Sequence, residues 1–397
     1  MINTIVEIED AAPVSRASNL DSSVGRRLRT AFVITSMPVG GAETLLLNLI
    51  RGLNRERFSP ELFCLKELGP IGEVLAREIP THHALIRSKY DGMIVHRLGQ
   101  LFRRQQIDAV ITVGAGDKMF WGRLAAKYAR VPVICSALHS TGWPDGVGRL
   151  NRMLTPITDA FIGVAQSHGQ FLVDFERFPA SKVAIIRNGI DARRFVPNRS
   201  ERASVRESLG LNSNIPLVGI VAALRPEKNH ELFLEVARRT CDILPDAHFV
   251  IIGEGPERTK IEAIVTAKRL GSNVHLLGNR NDTPSLLAAL DVFLLTSHNE
   301  ANPVSILEAL ACGIPVVSTN VGSIAETVQD GITGYTVDAG DAEQASQRVL
   351  QLLLDSRHAK ELGQHGRQLV QETGSLEAMV NGYQNLIEDR YARKSLS

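Results

Sequence analysis

Cysteine is scarce in this 397-residue sequence: Cys64, Cys135, Cys241 and Cys312 lie far apart, with no disulfide or metal-ligand spacing. A reducing compartment fits that usage. Net charge is nearly absent too. Forty-four Lys and Arg against 43 Asp and Glu leave +1, so no overall field selects nucleic acid or an acidic partner. No apolar run reaches the ~18 residues that a bilayer span needs. The opening MINTIVEIEDAAPVSRASNL carries acids where a signal peptide needs an apolar centre. Residues 1–28 are therefore expected to form a mobile tail on a cytoplasmic chain, where the sequons at Asn198 and Asn281 have no consequence. The histidines show no metal-ligand pattern. There is no Walker sequence, and neither Gly40-Gly41 nor GEGPER (253–258) completes the dinucleotide fingerprint, which weighs against a dehydrogenase.

What is present is an ordinary globular composition, 44% apolar and 22% charged, in a chain too long for one core. Short apolar runs alternate with helix-length segments: AFVITSM (31–37), ELFCL (61–65), IDAVITV (107–113), VPVICSAL (131–138), DAFIGV (159–164) and KVAIIR (182–187). After the turn-forming NGIDARRFVPNRS, the alternation restarts at PLVGIVAAL (216–224) and continues through HFVIIG, VHLLG, DVFLLTS and PVVST. Continuous apolar strands of this kind belong to parallel sheets covered on both faces. Two doubly wound α/β domains are expected, 29–195 and 196–375. Residues 341–392 read as helices broken by Gly363, Gly366 and Gly374. Ligands on such sheets bind at the carboxyl ends of the strands.

The most informative stretch is HNEANPVSILEALACGIPVV, 298–317. Asn302 suits an N-cap, Pro303 the first helical position, and Gly313 the C-terminus. The amides of Val304, Ser305 and Ile306 would then form an anion site. Glu300 lies just outside it and Glu308 more than one turn in. Carboxylates accept paired hydrogen bonds from vicinal hydroxyls, so a sugar, a diphosphate and a ribose would suit this arrangement. Read from spacing alone, the glutamates are equally a solvated loop residue and a surface helix residue; an acid/base pair for glycoside hydrolysis is a third reading. Arg225 and Lys228 stand at the carboxyl end of the second half's first strand, placed either for a diphosphate or for ion pairs with Glu227 or Glu231. Gly40 and Gly41, between a strand and a helix, allow backbone to approach a phosphate. His139 follows a strand end directly, either as a chemical group or as a capped loop histidine.

Taken together, EANPVSILE with ALACGIPVV resembles the Glu-x7-Glu signature of glycosyltransferase family 4. IIRNGID, LRPEKNH, IIGEGPER, VHLLG and DGITGY are similar to that family's other segments, in the right order over residues 30–375. The resemblance implies a GT-B fold, two Rossmann-like domains facing across a cleft, with a last helix (376–391) returning to the first domain. It implies a retaining transferase that uses a nucleotide-diphosphate sugar and requires no metal. By position, Glu300 would bind the donor sugar's hydroxyls and Glu308 the ribose. The backbone from Asn302 through Pro303 and Val304 to Ser305 would meet sugar and phosphate. Arg225 and Lys228 would stabilise the leaving diphosphate, Gly41 would approach it from the first domain, Arg280 would lie near the base, and His139 near the sugar. Ala223 departs from the pattern, standing where the family often has a phosphate-binding arginine. The acceptor would be a glycan or lipid-linked glycan. A nucleotide-sugar epimerase of the same architecture and a non-catalytic sugar-nucleotide binder are the alternatives. Residues 86–130 carry nine basic against three acidic residues, so IVHRLGQLFRRQQ reads either as a basic amphipathic helix at an anionic membrane or as a solvated face.

Overall fold

The computed structural model describes residues 26–88, 91–114, 117–139 and 151–396. The expected tail over residues 1–25 lies outside them. Arg26 to Leu28, placed in that tail, are structured: Arg26 donates to Asp108 Oδ1 at 2.7 Å, and Leu28 pairs with Phe58.

The chain divides into two compact units, one running through Asn188 and resuming at Leu376, the other Gly189–Ser375. The first holds a seven-stranded sheet: β1 (Leu28–Ile34), β2 (Phe58–Cys64), β3 (Thr81–His82), β4 (Ala109–Val113), β5 (Val133–Ala137), β6 (Ala160–Gly163) and β7 (Val183–Ile185), in the order β3-β2-β1-β4-β5-β6-β7. The second holds six strands: β8 (Leu217–Val221), β9 (His248–Ile252), β10 (Val274–Gly278), β11 (Val292–Leu295), β12 (Val316–Thr319) and β13 (Gly334–Val337), in the order β10-β9-β8-β11-β12-β13. Every strand pairing within these sheets is parallel. Strands β4 and β11, in the middle of their sheets, are buried along their whole length, which is why they read as unbroken apolar runs. The sequence boundary at 195/196 falls inside the second unit. Ile190 and Phe195 belong to that unit's core, and Ile190 N–H donates to Gly374 O at 2.9 Å.

The helices of the first unit are α1 (Gly41–Gly52), α2 (Gly69–Leu75), α3 (Ile94–Arg104), α4 (Asp117–Ala129) and α5 (Gln166–Asp174). Those of the second are α6 (Arg199–Ser208), α7 (His230–Cys241), α8 (Arg258–Ala267), α9 (Thr283–Ala288), α10 (Val304–Ala311), α11 (Ala342–Leu354) and α12 (Ser356–Thr373). The last helix, α13 (Leu376–Ser395), packs on the first unit: Gln384 Oε1 accepts from Asn54 N–H at 2.7 Å, and Lys394 pairs with Asp159 at 2.9 Å. Asn198, noted only as a sequon, caps α6 by accepting from Ser200 and Glu201 amides.

Two expectations are corrected. Helix α12 runs through Gly363 and Gly366 without a break. Both glycines serve close packing, since a Cβ on Gly363 would strike the Gly313 carbonyl and one on Gly366 the Leu310 side chain. Amphipathic α3 does not present an apolar face to a bilayer. Its Ile94, Leu98 and Phe102 are buried in a cluster with Ala125 and Ala126 of α4. Among the described residues, no helix is long and apolar enough to cross a membrane.

Candidate active site

In the second sheet the strand order reverses between neighbours β8 and β11, so the loops leaving their carboxyl ends diverge and open a crevice. After β8, Pro226–Lys228 form a 3-10 turn. Asn229 ends it in the left-handed conformation (φ 49°) and caps α7 through Oδ1 on Leu232 N–H at 3.3 Å. Lys228 therefore lies in this turn, ahead of α7. The loop after β11 is tied to this turn: His298 N–H donates to Glu227 O at 2.8 Å, and Thr296 Oγ1 donates to the carbonyls of Lys228 and Asn229 at 3.2 and 3.0 Å.

These ties bring Lys228 to Glu300. Lys228 Nζ donates to Glu300 Oε1 at 2.6 Å, and Ser297 Oγ donates to the same oxygen at 2.7 Å. Glu300 is only 9% exposed, so neither spacing-based reading of it as a solvated loop residue nor pairing of Lys228 with Glu227 holds. The neighbouring loop, after β12, supports this one. Thr319 Oγ1 donates to Ser297 O at 2.7 Å, and Gly322 (φ 58°) lies so close that an added Cβ would collide with the Glu300 carbonyl oxygen. Ser297, Thr319 and Gly322 were not singled out from sequence. The only signal was a hydroxyl three residues before a candidate carboxylate.

Helix α10 begins at Val304, with Pro303 rather than Asn302 as its N-cap and no side-chain capping bond. Pro303 has extended backbone (φ −71°, ψ 120°), so the turn starts one residue later than the sequence suggested. Ile306 N–H turns back to Pro303 O at 3.2 Å, which removes it from the expected anion site. The first two helical amides, of Val304 and Ser305, have no acceptor within the helix by its geometry. Gly313 follows the C-terminus with φ 72°, the left-handed position that glycine favours.

Glu308 sits on α10, half-buried. Burial pushes its carboxyl up to about 8, and the positive charge of Arg194 opposes the rise. Arg194, in the segment leaving the first unit, is another residue that sequence reasoning passed over. If Glu308 takes a diol as a carboxylate, it must lose its proton first, so ligand affinity should fall as pH drops below about 8. Titration calorimetry of a nucleoside diphosphate between pH 6.5 and 8.5 should show the affinity rising with pH, and Glu308→Gln should flatten that rise. An identical slope in both proteins would exclude Glu308 as the titrating group.

Arg225 and Arg280 do not join this cluster. Arg225 is exposed and lies 3.9 Å from Glu227. Arg280 is held by Asp282, with Nε to Oδ1 at 2.8 Å, on the loop after β10. Both are placed where they can turn toward a ligand only by leaving an acidic neighbour. In the first unit, Gly40 is the N-cap of α1 and Gly41 its first residue, after β1 at that sheet's own reversal point. Glu43 folds back over Gly40, where a Cβ would collide with its Oε2. His139 follows β5, half-buried, and burial followed by the nearby His168 lowers its imidazole to about 4, so it is neutral at pH 7. Among the described residues, no group of three or more His, Cys, Asp or Glu is arranged to hold a metal ion.

Comparison with known proteins agrees with this architecture. The family described as Glycosyl transferases group 1 matches residues 201–369, and Glycosyltransferase Family 4 matches 39–194. The UDP-Gal:alpha-D-GlcNAc-diphosphoundecaprenol alpha-1,3-galactosyltransferase of Escherichia coli is 26% identical, covering 81% of this chain and 87% of that protein. The N-acetyl-alpha-D-glucosaminyl L-malate synthase of Bacillus anthracis is 28% identical, covering 76% and 79%. Among solved structures, Anabaena HepE in complex with UDP-glucose superposes with a TM-score of 0.81 at 20% identity, covering 91% of this chain and all of that one. The two reversal-point sheets, the carboxylate cluster and these matches lead to one conclusion: the chain belongs to glycosyltransferase family 4 and is a transferase of the GT-B fold.

Proposed function

We propose that this glycosyltransferase moves a sugar from a nucleoside-diphosphate sugar to a hydroxyl of a glycan or lipid-linked glycan, with retention of configuration and without a required metal. The observation that carries the reading is the convergence of Lys228 and Ser297 on Glu300, beside the N-terminus of α10, at the reversal point of the second sheet. Names among the relatives support the substrate class. The Escherichia coli relative is named for a UDP-galactose donor and a diphosphoundecaprenol-linked acceptor, and a Corynebacterium glutamicum relative for GDP-mannose and a phosphatidylinositol mannoside.

The chemistry follows from charge placement. Glu300 accepts hydrogen bonds from hydroxyls of the donor sugar, and these charge-assisted bonds fix the anomeric carbon. Lys228 carries more donors than its bond to Glu300 uses, so it can also meet the leaving diphosphate, together with the amides of Val304 and Ser305 and a reoriented Arg225. A neutral His139 orients groups rather than serving as a strong base. The leaving phosphate oxygen accepts the acceptor's proton on the face where the new bond forms. The enzyme works at the cytoplasmic side of a membrane that holds its acceptor. With the apolar face of α3 buried, contact with anionic lipid rests on exposed basic side chains such as Arg104, Lys127 and Arg130.

A thermal-shift screen of UDP-, GDP-, ADP- and TDP-sugars, run with and without EDTA, tests this reading. A matching donor should raise Tm by binding only the folded state, roughly 2.7 kcal/mol of added stability at a hundredfold excess over Kd. No shift with any of them would remove the nucleotide-sugar assignment. A shift that EDTA abolishes would remove the metal-free part.

A further inference from the structure

Resting on the donor assignment above, we infer that Ser297 is a positioning residue: it fixes which oxygen of Glu300 faces the donor sugar. Both hydrogen bonds to this carboxylate end on one atom, Oε1, from Lys228 Nζ at 2.6 Å and Ser297 Oγ at 2.7 Å. Among the described residues, nothing bonds Oε2. The carboxylate is thus anchored through one oxygen and presents the other.

The two anchors differ in how firmly they are held. Lys228 reaches Glu300 with a long flexible stem whose side chain keeps 24% of its exposure, and its ammonium can also serve a diphosphate. Ser297 is 0% exposed, at the end of β11. Its carbonyl accepts from Thr319 Oγ1 at 2.7 Å, and its short side chain has a single rotatable bond before the hydroxyl. When a diphosphate draws Lys228 away, Ser297 Oγ–H remains on Oε1, and Oε2 keeps its direction. Without the hydroxyl, the carboxylate would be free to rotate about its last bond just when the sugar needs a fixed acceptor. Nucleotide recognition, through α10 and Glu308, does not pass through Ser297.

The role predicts a split between two ligands. Calorimetric titration of wild type and Ser297→Ala should use the nucleoside diphosphate that binds best and its matching nucleotide-sugar. In Ser297→Ala the nucleoside diphosphate should bind within about twofold of wild type, whereas the nucleotide-sugar should bind about tenfold more weakly, the size of one lost hydrogen bond to a charged group. An unchanged ratio of the two affinities would overturn the inference. So would an equal loss for both ligands with a lowered Tm, which marks a purely structural serine. If wild type binds the nucleoside diphosphate but no nucleotide-sugar, the donor assignment itself fails and this inference falls with it.

Discussion

Replacing Glu300 by glutamine should lower kcat by about a hundredfold or more, the range seen when one preorganised polar contact to a transition state is removed. Glutamine keeps the shape and can still accept at one oxygen, so the loop should hold. What is lost is the negative charge that Lys228 and Ser297 orient from 2.6 and 2.7 Å. The neutral amide offers a weaker acceptor to the sugar hydroxyls, and one face of it becomes a donor. Lys228 also loses its counter-charge in a partly buried place, a stability cost of about 1 kcal/mol given its remaining contact with water. Steady-state kinetics at saturating donor, with Tm measured alongside, checks both parts. Wild-type kcat in Glu300→Gln would end the assignment of Glu300 to the donor sugar.

Gly322→Ala should be the most damaging small change in the second unit. Its φ of 58° costs a non-glycine residue about 1–2 kcal/mol. The added Cβ would also run into the Glu300 carbonyl oxygen, a backbone atom that cannot turn aside. Relief requires the 300–302 loop to move, so stability and turnover should fall together, by at least about 2 kcal/mol and about tenfold. Gly331→Ala isolates the strain, because Gly331 has φ 72° with nothing within 4 Å of an added Cβ. It should lose about 1 kcal/mol and keep full activity. Chemical denaturation and kinetics on the two variants separate the effects. Equal behaviour would show that the contact with Glu300 carries no catalytic weight.

The residues differ in how visible they were before the structure. Gly322 looked like one more loop glycine, since its role depends on a backbone from another loop lying against it. Ser297 looked like a strand-end residue for the same reason. Asn302 was a sound N-cap by type, yet Pro303, with its extended ψ, took that position and shifted the helix start by one. Gly363 and Gly366 looked like helix breakers, because intrinsic propensity disfavours glycine in a helix. Packing on α10 outweighed that local cost. Strands β3 and β13 and helix α6 went unmarked: β3 spans two residues, β13 follows a turn, and α6 is mostly polar.

By itself the sequence determined two doubly wound parallel sheets, the loops that would meet a ligand, and the pairing of Glu300 with Glu308 around one helix start. Those features are local or periodic: buried strands write apolar runs, and strand ends are followed at once by the residues they display. Tertiary structure alone decided that Lys228 reaches Glu300 rather than Glu227, that Ser297 shares the same oxygen, and that Gly322 backs the loop. Each of these joins segments that the chain keeps far apart, and only the order β8-β11-β12 across the sheet brings their carboxyl ends together.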